Sequence, residues 1–257
     1  MKLAVAYNIF DGVENLETSV KNIRPLTDML IGVYQSISNY GNVIDKDIPA
    51  LLQRLGFHYI IEYIPDLTQT PHFNEIAKRN IGLDIARQNG CELFMTMDCD
   101  EMYNLSELKR AKNEFERSGS DASACMMQTY YGNSKMVYAE PETYYVTLFF
   151  KTDSKDIRRF REFVQFPVLA DPTRKLPSNK VLVFPRSTIQ MHHYSYVRED
   201  IRMKLINSSA LRNYKDRVEE IVSAYQNWDG GNSGLTVHGL TPLVEVESLN
   251  IPLPEYQ

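Results

Sequence analysis

The first hundred residues alternate short apolar runs with segments whose apolar residues recur at helical spacing. That alternation restricts the chain to βαβ units around a mostly parallel sheet, an α/β class. Strands are expected over residues 2–8, 29–34, 58–64 and 92–97. Between them Ile48, Leu51, Leu52 and Leu55 form one apolar helix stripe that stops at Gly56, and Ala77, Ile81 and Ile85 mark a second helix ending near Gly90. The texture then changes. Leu105, Leu108, Ala111 and Phe115 suit a helix ending at Ser118-Gly119, and aromatic-rich runs over 122–131 and 144–151 read as strands, so the sheet is expected to become mixed. Strand texture returns over 181–184 and 188–193, helical texture over 199–214, and the end carries Pro242, Pro252 and Pro254 as an arm lying over the surface or a neighbouring subunit. No interdomain linker or internal repeat interrupts the 257 residues, which are read as a single domain with halves at about 1–131 and 132–257.

Composition excludes several classes. With 28 Lys plus Arg against 33 Asp plus Glu, a formal charge of −5 and no basic block, a nucleic-acid or anionic-membrane surface is not expected. Three cysteines (Cys91, Cys99, Cys125) form no C-x-x-C pair and no even disulfide set, which favours a reducing compartment and buried thiols. No apolar run approaches the ~18 residues of a membrane span, and the start is interrupted at Tyr7-Asn8, so it is read as a first strand of a cytoplasmic protein rather than as a signal.

The chemistry concentrates after the fourth strand. Met97-Asp98-Cys99-Asp100-Glu101 puts three carboxylates directly beyond an apolar strand, and ligands of open α/β sheets bind at the carboxyl ends of strands. Alternation sends Asp98 and Asp100 to one side, where they suit a hard divalent cation, Mg²⁺ or Mn²⁺, shared with phosphate oxygens; a solvated acidic turn is the alternative. Met191-His192-His193-Tyr194 supplies an imidazole ligand, and because neighbours on a strand face opposite ways only one of the two histidines can face a given site; His193 is favoured, with His192 the alternative.

The order of Tyr7-Asn8 at the end of the first strand, Arg79-Asn80-Ile81-Gly82 on a helix, and Asp98-Cys99-Asp100 after a later strand resembles family-2-like glycosyltransferases of the GT-A fold. The resemblance covers residues 1–131 well and the rest loosely. It implies that the D-x-D segment holds a divalent metal and the ribose and diphosphate of a nucleotide sugar. Asp98 would then lie near ribose and metal, Asp100 would be a direct ligand, and Arg79 and Asn80 would lie at the donor. Tyr34 and Gln35 stand where relatives carry an acidic run after the second strand. His193, in His193-Tyr194-Ser195-Tyr196-Val197-Arg198, resembles a late ligand motif, and Arg198, Arg202 and Lys204 are placed to neutralise the leaving diphosphate. Sugar transfer needs that neutralisation and, for inversion, a carboxylate base, for which Glu101, Glu140 and Glu142 are candidates. The cluster from Arg158 to Arg161 is a candidate lid, and Tyr130, Tyr131, Tyr138, Tyr144 and Tyr145 a candidate sugar-stacking wall.

The expected partners are a UDP- or GDP-sugar donor and a glycan, lipid-linked or small-molecule acceptor, with a homo-oligomer left open. Three other readings stay open: nucleotidyl transfer to sugar phosphates, though residues 8–12 hold only one glycine; a metal-independent glycoside hydrolase using two carboxylates; and a noncatalytic carbohydrate-binding protein.

Overall fold

The computed structural model describes residues 1–153 and 159–247. The chain runs β1 (Leu3–Ile9), α1 (Val13–Ile23), β2 (Met29–Tyr34), α2 (Ile48–Arg54), β3 (Tyr59–Glu62), α3 (Pro71–Gln88) and β4 (Leu93–Asp98). A short β5 (Glu101–Tyr103) and α4 (Leu105–Arg117) follow. Then come β6 (Ala122–Tyr131), β7 (Met136–Tyr138), β8 (Tyr145–Lys151), β9 (Val181–Val183), β10 (Gln190–Tyr196), α5 (Ile201–Asn207), α6 (Val218–Gln226), β11 (Ser233–Thr236) and β12 (Gly239–Glu245).

Strands β3, β2, β1 and β4 lie side by side and parallel. Beyond β4 the sheet becomes mixed: β8 is antiparallel to β4 and to β6, while β9 and β10 run parallel to β6. This is the α/β architecture with a parallel sheet turning mixed that the alternation of the first half implies. Every residue of β1 is buried, as a central parallel strand covered on both faces requires. Its side chains alternate between two cores. Val5, Tyr7 and Ile9 join Leu16 and Val20 of α1, Leu52 of α2 and Phe115 of α4 on one face. Ala4 and Ala6 meet Leu83 and Ala86 of α3 on the other.

Local chemistry sets the helix ends. Asp47, Thr70, Asn104 and Asp200 cap α2, α3, α4 and α5 by accepting from backbone N–H groups of the first turn. Gly56 and Gly90, with φ of 72° and 63°, follow the ends of α2 and α3 in the left-handed region that glycine adopts at little cost. Inside α3, Gly82 lets the helix approach β1: a Cβ there would stand 2.5 Å from that of Ala6.

Two expectations about the second half are corrected. Helix α5 stops at Asn207 and gives way to single 3₁₀ turns at Leu211–Asn213 and Lys215–Arg217, instead of continuing to residue 214. Pro242 belongs to strand β12, which pairs with β11 on one edge and with β7 on the other from Leu243 on, so this part of the end is sheet and not a loose arm. Pro252, Pro254 and Arg158 lie outside the described residues. The second half also builds its own core, in which Tyr131, Tyr138 and Tyr196 pack with Ile201 and Leu205 of α5 and Ile221 and Val222 of α6. All three cysteines are buried and unpaired, and among the described residues no helix is long and apolar enough to cross a membrane.

Candidate functional site

The parallel register sets Asn8 of β1 directly beside Asp98 of β4, at the carboxyl ends of both strands. There a cavity of about 290 Å³ opens, with Asn8, Phe10 and Asp11 on one wall, Lys78 and Arg79 of α3 on another, and His193, Arg198 and Lys204 on a third. Asp98 and Asp100 both line it. The turn that carries them is held from below by β10, which pairs with β5 so that His193 stands opposite Glu101.

The two aspartates have different partners. Asp98 is gripped by two guanidiniums: Arg174 Nη2 donates to its Oδ2 at 2.6 Å, and Arg79 Nη2 lies 3.3 Å from Oδ1. Burial works against the ionised carboxylate, but Arg174 and Arg79 outweigh it and bring the Asp98 pKa down to about 2. Arg174 is 1% exposed and extends from Asp98 to Glu101, where Nη1 donates to Oε2 at 2.9 Å and Nη2 pairs with Oε1; its Nε lies 3.2 Å from Asp171. For Glu101 burial prevails and pushes its carboxyl up, despite Arg174. Arg79 is anchored further by donating to Thr96 Oγ1 at 2.8 Å and Thr173 Oγ1 at 3.3 Å.

Asp100 faces three other groups. Its Oδ2 accepts from Arg198 Nη2 at 2.5 Å, while Lys204 Nζ lies at 3.4 Å and His193 Nε2 at 3.5 Å. Burial would raise its pKa, yet Arg198, Lys204 and His193 hold it well below the usual carboxylate range. Burial and the neighbouring Arg198 in turn pull the Lys204 ammonium down. A third acidic group, Glu75, ties an amide network to the rim. It accepts from Asn8 Nδ2 at 3.2 Å, from Asn39 Nδ2 at 3.0 Å and from Lys78 Nζ at 3.0 Å, leaving the buried Asn8 Oδ1 without a partner.

Among the residues expected from the sequence, the fold thus gathers Asn8, Arg79, Asp98, Asp100, His193, Arg198 and Lys204 around one cavity. Others stand apart from it. Tyr7 is in the core, its hydroxyl on Ser19 and its ring against Phe57. Tyr34 belongs to the core layer on the α1 face, while buried Gln35 donates to Ile37 O and Asn39 Oδ1. Asn80 exchanges hydrogen bonds with the backbone of Phe160. Glu142 Oε2 accepts from the N–H of Thr129, and its carbonyl from Arg186. His192 points into the protein, where Nδ1 meets the Tyr130 hydroxyl at 2.9 Å, and burial lowers its pKa to about 4. Exposed Arg202 pairs with Glu219. Of the expected aromatic wall, Tyr130, Tyr131 and Tyr138 are buried, Tyr130 stacking on Tyr194 at 4.3 Å.

No sequence pattern singles out Arg174, Lys78 or Asp171. A burial signal for the first two is absent from the sequence, because a basic residue in a helix or a Pro-rich loop reads as solvated. The one hint for Arg174 is that residues 153–180 are rich in arginine and proline.

A divalent cation can be tested against these donors. Asp100 Oδ2 and His193 Nε2 bring a hard oxygen and an imidazole nitrogen to the same wall 3.5 Å apart. Among the described residues no group of three His, Cys, Asp or Glu could hold a metal ion; Asp98 is paired with its two arginines and Asp100 with Arg198 and Lys204. The pair alone does not make a metal site; an ion held there would need its remaining positions filled by ligand oxygens and water.

No family model and no curated protein matches the chain. Solved structures do resemble it. Residues 1–349 of S. aureus TarS align at 15% identity over 86% of this chain and 71% of that one, with a TM-score of 0.47. The same segment "in complex with UDP-GlcNAc" aligns at 16% identity over 83% and 70%, with 0.45. Glucosyl-3-phosphoglycerate synthase from Mycobacterium tuberculosis, in complex with Mn²⁺, UDP and phosphoglyceric acid, aligns at 9% identity over 51% and 43%, with 0.32. Against a longer TarS chain the match spans 42% of that chain. None of these likenesses reaches a TM-score of 0.5, so the fold rests on the strand order and register described above.

Proposed function

We propose that the protein is a GT-A-like glycosyltransferase that moves a sugar from a nucleotide donor to a hydroxyl acceptor. One observation carries this reading: Asp98 and Asp100 leave the end of a parallel strand into a cavity whose other walls present Lys78, Arg79, Arg198 and Lys204. A nucleoside diphosphate needs fixed cations against its phosphates and oxygen acceptors against its ribose, and the cavity offers both.

In the proposed reaction the bond between the anomeric carbon and the diphosphate oxygen breaks, its electron pair leaving with the diphosphate. The acceptor oxygen bonds to that carbon and gives up its proton to a base. Negative charge grows on the leaving oxygen, so fixed cations lower the barrier most when they face the diphosphate. Arg198 and Lys204 are cast in that role. Asp98, held ionised and immobile by Arg174 and Arg79, is assigned to the ribose hydroxyls. Asp100 and His193 would hold Mn²⁺ or Mg²⁺ together with phosphate oxygens; when bound, the ion supplies Lewis-acid neutralisation of the departing charge.

The test is calorimetric titration of UDP and GDP with and without Mn²⁺. Saturable, metal-enhanced binding of one of them is expected, and its loss in Asp100→Ala with the circular-dichroism spectrum intact. Binding that Asp100→Ala leaves untouched would remove Asp100 from the site. The absence of nucleotide binding altogether would overturn the transferase reading.

A further inference from the structure

A second cavity, of about 640 Å³, lies against the other side of Arg198, which lines both spaces. Trp228 lines it with Asn133, Glu199, Asp200 and Gln226. We propose that this cavity binds a neutral oligosaccharide, with Trp228 as its apolar wall. On the transferase reading it is the acceptor's site; that assignment rests on the reading, whereas sugar binding itself does not.

The wall is built, not incidental. Trp228 lies over Gly132, whose φ is +70° and whose missing Cβ would stand 2.0 Å from the indole, so no other residue fits beneath the ring. The indole N–H donates to Ser233 O at 3.0 Å and to Gly231 O at 3.2 Å, and the ring meets Tyr131 edge-on at 5.4 Å. At the back, the Tyr225 hydroxyl accepts from the Arg198 N–H and donates to the Arg198 carbonyl, both at 3.3 Å, which fixes the residue dividing the two cavities.

The polar lining chooses the ligand class. An indole beside carboxylates and amides offers an apolar surface for sugar C–H groups and both acceptors and donors for hydroxyls. The Arg198 guanidinium is directed at Asp100 in the first cavity, so exposed Glu199 and Asp200 leave the mouth of the second negative and disfavour phosphorylated or carboxylated sugars. The volume lies within the roughly 300–1,000 Å³ of small-ligand pockets.

The chain holds a single tryptophan, so fluorescence excited at the red edge, beyond the absorption of its 16 tyrosines, reports Trp228. The full chain is titrated with maltotriose, cellotriose and N,N′,N″-triacetylchitotriose at millimolar concentrations, with glucose 6-phosphate as the anionic probe. A saturable change in Trp228 emission is expected with at least one trisaccharide and not with glucose 6-phosphate. Glu199→Ala and Gln226→Ala, both exposed positions, are expected to weaken it by about tenfold each, the value of one hydrogen bond to a charged or amide group, while calorimetric UDP affinity stays unchanged. Silence with all three trisaccharides, an equal response to glucose 6-phosphate, or a response that survives both variants overturns the proposal. Trisaccharide binding without nucleotide binding would sink the transferase reading and leave this one standing; the converse would do the reverse.

Discussion

At the scale of residues, the site is a set of carboxylates sorted by the cations that face them. Arg174 bridges Asp98 and Glu101 from a position with 1% exposure, so removing it strands a buried Glu101 without its counter-charge. Breaking a buried pair in this way typically costs about 3–5 kcal/mol. Arg174→Met is therefore expected to lower the urea midpoint by a corresponding amount at unchanged slope, with partial recovery in the double variant Arg174→Met/Glu101→Gln. A loss below about 1 kcal/mol would contradict the bridging role. Acidity has two expected stages. His192 is buried neutral with its pKa lowered to about 4, against about 6.5 unfolded, so folding stability is complete above pH 6.5 and falls as pH drops towards 4. The integrated effect is about 3 kcal/mol, and His192→Gln should remove it. Asp98 and Asp100 are depressed instead, so their contribution holds above about pH 4 and is lost on further acidification, for Asp98 as pH falls through about 2. Chemical denaturation at pH 7, 5 and 4 in metal-free buffer checks the first stage: equal pH dependence in wild type and His192→Gln would refute the burial assignment.

At the scale of elements, α3 and β4 do most of the positioning. One turn of α3 serves three purposes because helical geometry points successive residues in different directions: Arg79 reaches Asp98, Asn80 ties Phe160, and Gly82 meets Ala6. Gly82→Ala adds a methyl group 2.5 Å from the Ala6 Cβ, which should push helix and sheet apart and cost about 1–3 kcal/mol, read as a lower melting temperature. A neutral or stabilised variant would mean that the helix can shift freely. Elements with strong periodicity could be read from the sequence: the apolar stripe of α2 ends at the expected Gly56, and β2 and β6 occupy the expected residues. Strand β5 could not, since its three residues pair only because β10 arrives from far along the chain. The β11–β12 hairpin is hidden in the sequence by Pro242, which marks a break in a helix but is tolerated here at the end of the β11–β12 ladder. The convergence of Asn8, Arg79, Asp98, Asp100, His193, Arg198 and Lys204 was foreseeable because each lies at a strand end or on an adjoining helix. The burial of Arg174 and Lys78 was not, because charge in a sequence carries no sign of its partners.

At the scale of the whole molecule, the parallel half sets out the turn carrying Asp98 and Asp100, and the mixed half closes the cavity around it with His193 of β10, Lys204 of α5 and Arg198 from the segment between them. The proposed division of labour gives the nucleotide to the first cavity and the sugar acceptor to the second, with Arg198 as the wall between them. The central claim is that the first cavity recognises a nucleoside diphosphate. A thermal-shift panel of UDP, GDP, CDP and dTDP, each with and without Mn²⁺, tests it most directly, because a ligand that binds only the native state raises the melting temperature by mass action. The account predicts a rise with one nucleotide that grows with Mn²⁺ and disappears in Asp100→Ala. No rise with any of the four, with or without metal, would contradict it.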